Sequence, residues 1–334
     1  MSFYTFIKPG LFLIEAERAH AWAMGALRLL PRSVFVPPKK RSYTVMGMTF
    51  PHRVGLAAGL DKSGYYIDAL AKLGFAFIEI GTITPKPQLG NPKPRLFRLP
   101  QAHALINRMG FNNSGIDVAV QNIQKSAYTG ILGVNIGKGK ETPLHRALED
   151  YLYCLHRVFP YASYVTINIS SPNTPDLRQL QKVEYFEHLV SSLRQEQLRL
   201  SDHYRRYVPL VLKISPDESN ERLQSMAEVI KKNHIDGIIA TNTTCERPSL
   251  KQMQYAEEIG GLSGKPLLTR STQCLDLMKQ IVGNEVTCIG VGGIDSKEAA
   301  IEKYAAGADL IQVYTGLIYQ GPGLIAQLRT IDAT

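Results

Sequence analysis

The residues Asn168-Ile169-Ser170-Ser171-Pro172-Asn173-Thr174-Pro175 follow the apolar run Tyr164 to Ile167 and are nearly all polar or turn-forming. An apolar run that ends abruptly in amides and hydroxyls reads as a buried strand whose carboxyl end opens into a site. Ser-Pro and Asn-Thr-Pro are equally good turn chemistry, and what lifts the segment above a turn is that the same event recurs along the chain. No histidine, carboxylate or cysteine lies between Asn168 and Pro175, so the proton acceptor in that loop is a hydroxyl, and Ser171 is the candidate base. A serine hydroxyl is weakly basic and needs a neighbour such as Thr174 or a water chain, which makes activity rise toward alkaline pH.

Two lysines close apolar strands, where an ammonium is costly unless it meets negative charge. Lys213 follows Pro209-Leu210-Val211-Leu212, and Lys62 follows a strand and the turn Ala58-Gly59-Leu60-Asp61. A phosphate-bearing flavin that becomes anionic on reduction suits Lys213, and a substrate carboxylate suits Lys62; an ordinary ion pair with Asp61 or Asp217 is the alternative for either. Asn107, Asn135, Asn168, Asn173 and Asn242 supply paired donors and acceptors that match a planar cyclic amide or imide better than a sugar phosphate, although some of them can be turn formers. Gly290-Val291-Gly292-Gly293-Ile294 and Tyr314-Thr315-Gly316 each run into a helix, which is the make-up of a phosphate site and also of a tight turn. No GxGxxG opens a dinucleotide-binding unit near the start.

These groups need a frame, and the hydrophobic pattern supplies one. Strands are expected at Val54–Ala58, Ala76–Ile80, Ile131–Ile136, Tyr164–Ile169, Leu210–Ile214, Gly237–Ala240, Thr287–Val291 and Leu310–Tyr314. Several are continuously apolar, as parallel strands covered on both faces are. Helical patterns intervene at Tyr65–Leu73, Val183–Leu198, Asn220–Asn233 and Lys297–Ala306. Eight alternations over about 280 residues fit an α/β protein of the (β/α)8 TIM-barrel type better than an open sheet. An extra strand pair near Tyr43–Phe50 is expected to cap the amino-terminal end of the barrel. In such barrels reactive groups gather where strands end, and those ends here are Lys62, Thr82, Asn135, Asn168, Lys213, Thr241-Asn242-Thr243, Gly292-Gly293 and Tyr314-Thr315.

The chain has 334 residues, 44% hydrophobic and 20% charged, enough for a large core in the soluble globular class. Cys154, Cys245, Cys274 and Cys288 are far apart, so reduced thiols in a cytoplasmic setting are expected, each a small buried side chain, with no metal site. The net charge is +9, of which residues 1–41 hold +5, from seven basic against two acidic residues. Only +4 remains for the body, which disfavours nucleic acid and favours an anionic surface met by the amino-terminal segment; a solvated charged face is the plain alternative. Apolar side chains recur at helical spacing there, with one helix expected up to about Pro9 and a second over Glu15–Leu30. These can lie on a membrane surface or pack on the body. No run approaches the roughly 20 apolar residues of a membrane span, and a signal peptide is not expected. Residues 1–41, ending in the linker Pro31–Arg41, thus form an amphipathic two-helix segment ahead of a barrel domain over 42–334.

Taken together the motifs resemble dihydroorotate dehydrogenases, specifically the membrane-associated, quinone-reducing class 2. The resemblance runs through Gly55 to Lys62, Gly81-Thr82-Ile83-Thr84-Pro85, Asn91 to Arg98, Asn107 to Asn113, Asn168 to Pro175, Ala240 to Thr244, Gly260 to Gly264 and Gly290 to Asp295. It implies FMN held by Ala58, Gly59, Leu60, Asp61, Lys62, Thr82, Asn135, Asn168, Lys213, Thr241, Gly264, Gly293, Tyr314 and Thr315. It implies dihydroorotate held by Lys62, Asn107, Arg108, Met109, Gly110, Phe111, Asn168, Asn173, Asn242 and Thr243. Ser171 then takes a proton from the ring CH2 while hydride leaves the adjacent carboxylate-bearing carbon, and orotate is released on the way to UMP. Related soluble enzymes carry cysteine where Ser171 stands and lack the amino-terminal helices, so the resemblance makes the acceptor a membrane quinone, entering between those helices near His20 and Arg98. It places the protein peripherally on the cytoplasmic face of the cell (inner) membrane, with no protein partner expected. Gly139 and Ser215 depart from the usual family residues without removing an expected ligand.

Two rivals remain at this level. A flavin-dependent tRNA dihydrouridine synthase shares the scaffold but calls for a cysteine acid and a basic RNA-binding extension, neither of which is apparent. A membrane-surface binding module accounts for residues 1–41 and leaves the polar strand ends idle.

Overall fold

Short apolar runs bounded by glycine and asparagine leave their backbone polar groups unpaired unless they lie side by side, and eight of them do so until the sheet closes. The computed structural model describes residues 3–30, 42–174, 176–247, 250 and 253–331. The expected linker over 31–41 and the loop residue at 175 lie outside the described residues. A hairpin of β1 (Tyr43–Val45) and β2 (Met48–Phe50) precedes the barrel. The barrel strands are β3 (Val54–Leu56), β4 (Phe77–Ile83), β7 (Ile131–Ile136), β8 (Tyr164–Asn168), β9 (Leu210–Ile214), β10 (Gly237–Ala240), β12 (Thr287–Val291) and β13 (Leu310–Val313). They form a closed parallel ring in the order β3-β4-β7-β8-β9-β10-β12-β13.

Seven of these strands end within two residues of the sequence expectation, and β4 runs on to Ile83. Its pairing with β7 shifts register between Ile80 and Ile83. Gly81 sits in that irregularity with φ +109, and a Cβ there would lie 2.3 Å from the Asn135 carbonyl oxygen, so the passage needs glycine.

Period-two alternation sorts the strands' side chains into two cores. Phe77, Tyr164, Val211, Ile239, Ile289 and Leu310 point inward and are closed from the amino-terminal end by Phe50 of the hairpin, whose ring meets that of Phe77 edge-on at 5.4 Å. Ile78, Ile80, Val134, Leu212 and Ile238 point outward into the layer of helices. The expected helices appear at Ile67–Ala71, Val183–Tyr204, Asn220–Lys232 and Lys297–Ala305. A third sheet, β5 (Leu96–Leu99), β6 (Ala104–Asn107) and β11 (Gly261–Gly264), is antiparallel in the order β11-β6-β5 and packs on its own cluster around Phe97, Ile106 and Leu262. Its strands are four residues each, too short to stand out as periodicity.

At the amino terminus, α1 (Phe3–Leu13) and α2 (Ala16–Leu29) pack on the body. The expected stop at Pro9 does not occur: α1 continues through it to Leu13. An interior proline costs about 3 kcal/mol, and here both ends of the helix are pinned. Tyr4 OH donates to the Ile318 carbonyl at 2.6 Å, and Phe12 meets Tyr319 edge-on at 5.4 Å. The Glu15 carboxylate caps α2 by accepting from the N–H groups of Glu17 and Arg18, both at 2.9 Å.

Candidate active site

Seven of the eight barrel strands deliver residues at their carboxyl ends to one cavity of about 1240 Å³. A drug-sized ligand fills roughly 300–1,000 Å³, so there is room for more than one occupant. Lys62, Thr82, Asn168, Ser171, Lys213, Thr241 and Tyr314 line its inner end, and Tyr4, Phe12, His20 and Trp22 of α1 and α2 line its outer end. The cavity is therefore continuous from the barrel mouth to the amino-terminal helices.

The amides are wired to one another. Thr82 Oγ1 donates to Asn135 Oδ1 at 2.6 Å, Asn168 Nδ2 donates to Thr82 Oγ1 at 2.8 Å, and Asn242 Nδ2 donates to Asn168 Oδ1 at 3.2 Å. Across the cavity Asn173 Nδ2 donates to Asn107 Oδ1 at 3.2 Å. Ser171 is buried, and its oxygen accepts from the Asn173 N–H at 3.2 Å. Arg178 braces this loop from behind, donating to the carbonyls of Ser170 and Thr243 and pairing with Asp217 at 2.9 Å.

Neither lysine forms the ordinary ion pair that was the alternative. The Asp61 carboxylate is occupied by the N–H groups of Ser63, Tyr65 and Tyr66, and Asp217 by Arg178. Lys62 Nζ instead donates to the Gly59 carbonyl at 2.8 Å. Burial pulls its pKa down to about 8, with Glu17 raising it and Arg95 lowering it. Lys213 takes neither a hydrogen bond nor an ion pair among the described residues. Burial lowers its pKa, and the Glu79 carboxylate acts in the opposite direction. A buried ammonium without a direct partner is a standing demand for an anionic ligand, and the set fits an anionic ring. Burial, assisted by the Lys62 charge, takes His20 down to about 4, so its ring is neutral at physiological pH.

Most residues singled out in the sequence converge here: Ala58, Gly59, Leu60, Asp61, Gly264, Gly293, Thr315, Asn107, Met109, Gly110, Phe111, Thr243 and Arg98 also line the cavity. Three do not. Asn135 lies beneath Thr82. Arg108 turns away from the cavity to Glu258 at 2.5 Å and stacks on Phe97. Thr174 Oγ1 is buried, has no hydrogen-bond partner among the described residues and does not bond Ser171. Other expectations need correction. Cys245 is exposed, because it sits on a loop held by Asp217, whereas Cys154, Cys274 and Cys288 are buried. Tyr314 leads straight into a helix, but Ile294 to Ser296 separate Gly293 from the next one, which Ser296 caps. Arg98 also serves α1, donating to the carbonyls of Phe12 and Ile14 at 3.3 and 2.7 Å. Sequence reading missed Glu17, which takes Arg95 at 2.8 Å and ties α2 to the loop before β5. It also missed Glu79 and Gln312 inside the barrel; a carboxylate in the middle of an apolar strand was the available signal.

A closed (β/α)8 barrel whose strand ends gather a partnerless lysine, a wired set of asparagines and glycine turns is built as a flavin-dependent oxidoreductase is built. The chain belongs to the dihydroorotate dehydrogenase family: the family profile "Dihydroorotate dehydrogenase" matches residues 41–330. Curated relatives named "Dihydroorotate dehydrogenase (quinone)" include one from Legionella pneumophila (strain Corby), 59% identical over 96% of this chain and 97% of its own. Another, from Herminiimonas arsenicoxydans, is 53% identical over 97% and 96%. The crystal structure of the Eimeria tenella dihydroorotate dehydrogenase in complex with ferulenol superposes with a TM-score of 0.89 at 37% identity, covering 97% of this chain and 93% of that one.

Proposed function

We infer that the protein oxidises (S)-dihydroorotate to orotate, a step of pyrimidine biosynthesis, with a flavin taking the hydride and a quinone as final acceptor. The observation that carries this is the single cavity, which brings a buried serine hydroxyl, a lysine with lowered pKa and a set of asparagines to one end and an apolar helical mouth to the other. Lys62 meets the substrate carboxylate, which restores the charge that burial disfavours. Asn107, Asn173 and Asn242 hold the ring amides, and Asn168 reaches both ligands. Ser171 Oγ takes the ring CH2 proton, and its enclosed position keeps bulk water from that proton.

The flavin is FMN in this reading, and when bound it supplies the hydride acceptor. Lys213 balances its ring, while Gly264, Gly293 and Thr315 offer backbone N–H groups to its phosphate; a Cβ on Gly293 would come within 2.5 Å of Leu268, so that turn depends on glycine. The quinone enters beside His20 and Arg98. The protein attaches peripherally to the cytoplasmic face of the inner membrane through α1 and α2, whose outward side exposes Phe6, Leu13, Trp22 and Leu29. Among the described residues no helix is long and apolar enough to cross a membrane.

The test is anaerobic mixing of purified protein with dihydroorotate while the flavin absorbance near roughly 450 nm is followed. Bleaching that a quinone reverses and fumarate does not is the expected result. A yellow protein that dihydroorotate leaves unbleached overturns the substrate assignment.

A further inference from the structure

Glu79 projects from β4 into the closed barrel with no solvent exposure and no cation at ion-pair distance among the described residues. Neutral donors from three other strands hold it: Asn135 Nδ2 of β7 at 2.8 Å, Tyr164 OH of β8 at 2.9 Å and Gln312 Nε2 of β13 at 2.7 Å. A carboxylate only accepts. Asn135 must therefore turn its NH2 down to Glu79 and its oxygen up, Thr82 must donate to that oxygen, and Asn168 must give its NH2 to Thr82 and show its oxygen to Asn242. One buried charge thus fixes the donor–acceptor sense of the amides lining the cavity. Alternation turns Lys213 inside the ring as well, two residues beyond the inward Val211 and three strands from Glu79, and the same charge acts on it there.

We propose that Glu79 is a positioning residue with two effects: it sets the polarity of the Asn135–Thr82–Asn168–Asn242 chain, and it is the counter-charge that keeps Lys213 protonated in the cavity where a flavin would bind. The proposal rests on the flavin reading above. Among the described residues Glu79 is the charged group that acts on Lys213; the Tyr164 phenol donates to Glu79, and burial with the Glu79 charge raises its pKa well above the usual range, so it stays neutral.

The experiment measures the flavin reduction potential against pH on the flavin-loaded protein, using a chemical reductant. A break marks the titration of Lys213, and Lys213→Met should lack it. In Glu79→Gln the break should move down by about one pH unit or more, a tenfold loss of proton affinity. Glu79→Asp keeps the charge but is too short to reach Asn135; its break should stay in place while KM for dihydroorotate rises at least about tenfold, the scale of one lost hydrogen bond to a charged group. An unmoved break in Glu79→Gln, or a break surviving in Lys213→Met, overturns the counter-charge; an unchanged KM in Glu79→Asp overturns the positioning role. Should Glu79→Gln fail to retain flavin, the double variant Glu79→Gln/Lys213→Met removes both charges. Retention regained in the double variant supports the pairing, and retention no better than in the single variant overturns it. Because the reductant is chemical, a protein that dihydroorotate cannot bleach still yields the titration, and the two failures are told apart.

Discussion

At the residue scale the proposed reaction turns on protons held at Ser171 Oγ and Lys62 Nζ. Ser171→Ala removes the acceptor without touching the flavin-side residues, so it should keep its colour and reduce about 10²–10⁴-fold more slowly; single-turnover mixing reads this directly, and a wild-type rate refutes the base. Lys62 makes a second prediction. Its pKa in the free protein is lowered to about 8, so the ammonium is fully present below that value and is lost as pH rises through it. Substrate carboxylate favours the charged form and raises the pKa again, so binding above about pH 8 takes up a proton. KM for dihydroorotate should therefore rise above pH 8 while kcat still climbs as Ser171 becomes a better base. Calorimetry in buffers of different ionisation heat measures the uptake, and a KM flat from pH 7 to 9.5 counts against Lys62 as the carboxylate partner.

At the element scale the two ends of the cavity are joined by Arg95. Its guanidinium takes the Glu17 carboxylate of α2 and also donates to the carbonyls of Leu89 and Asn91, while Asn91 Nδ2 donates to the carbonyls of Arg108 and Asn173. The helix at the outer mouth and the loop at the inner end are therefore linked in series through the side chains of Arg95 and Asn91. Arg95→Ala leaves Glu17 half-enclosed with only the exposed Lys93 as partner. Breaking such a pair costs up to about 3–5 kcal/mol when fully buried, and the partial exposure of Glu17 puts the expected loss below that range, at about 2 kcal/mol. Denaturant unfolding measures it, and quinone turnover should fall more than flavin reduction because the undocked element is α2.

At the scale of the whole molecule the barrel and the amino-terminal segment should be separable in function. Deleting residues 1–30 removes the outer lining of the cavity and leaves the strand ends in place, so dihydroorotate should still bleach the flavin while quinone turnover is lost. Sedimentation with anionic vesicles should likewise fall to background in the deleted protein. Equal binding by both forms would locate membrane contact elsewhere.

The barrel was legible in the sequence because a parallel strand buried on both faces has to be continuously apolar, and eight such runs interrupted at their ends by Lys62, Thr82, Asn168, Lys213 and Thr241 leave few other arrangements. The cavity residues were legible because a polar group closing an apolar strand is costly unless it serves a site, and because the motifs carrying them resemble one family. Contacts that depend on facing partners were not legible. That α1 passes through Pro9 depends on Tyr4 and Phe12 finding Ile318 and Tyr319, more than three hundred positions away. That Arg108 turns away depends on Glu258, that Lys62 avoids Asp61 depends on three backbone donors reaching Asp61 first, and that Glu79 rests on Asn135, Tyr164 and Gln312 depends on the closure of the ring. Local pattern fixes which face of a strand is buried. What a buried polar atom pairs with is decided only when distant strands arrive beside it, since desolvation forces a partner but does not name one.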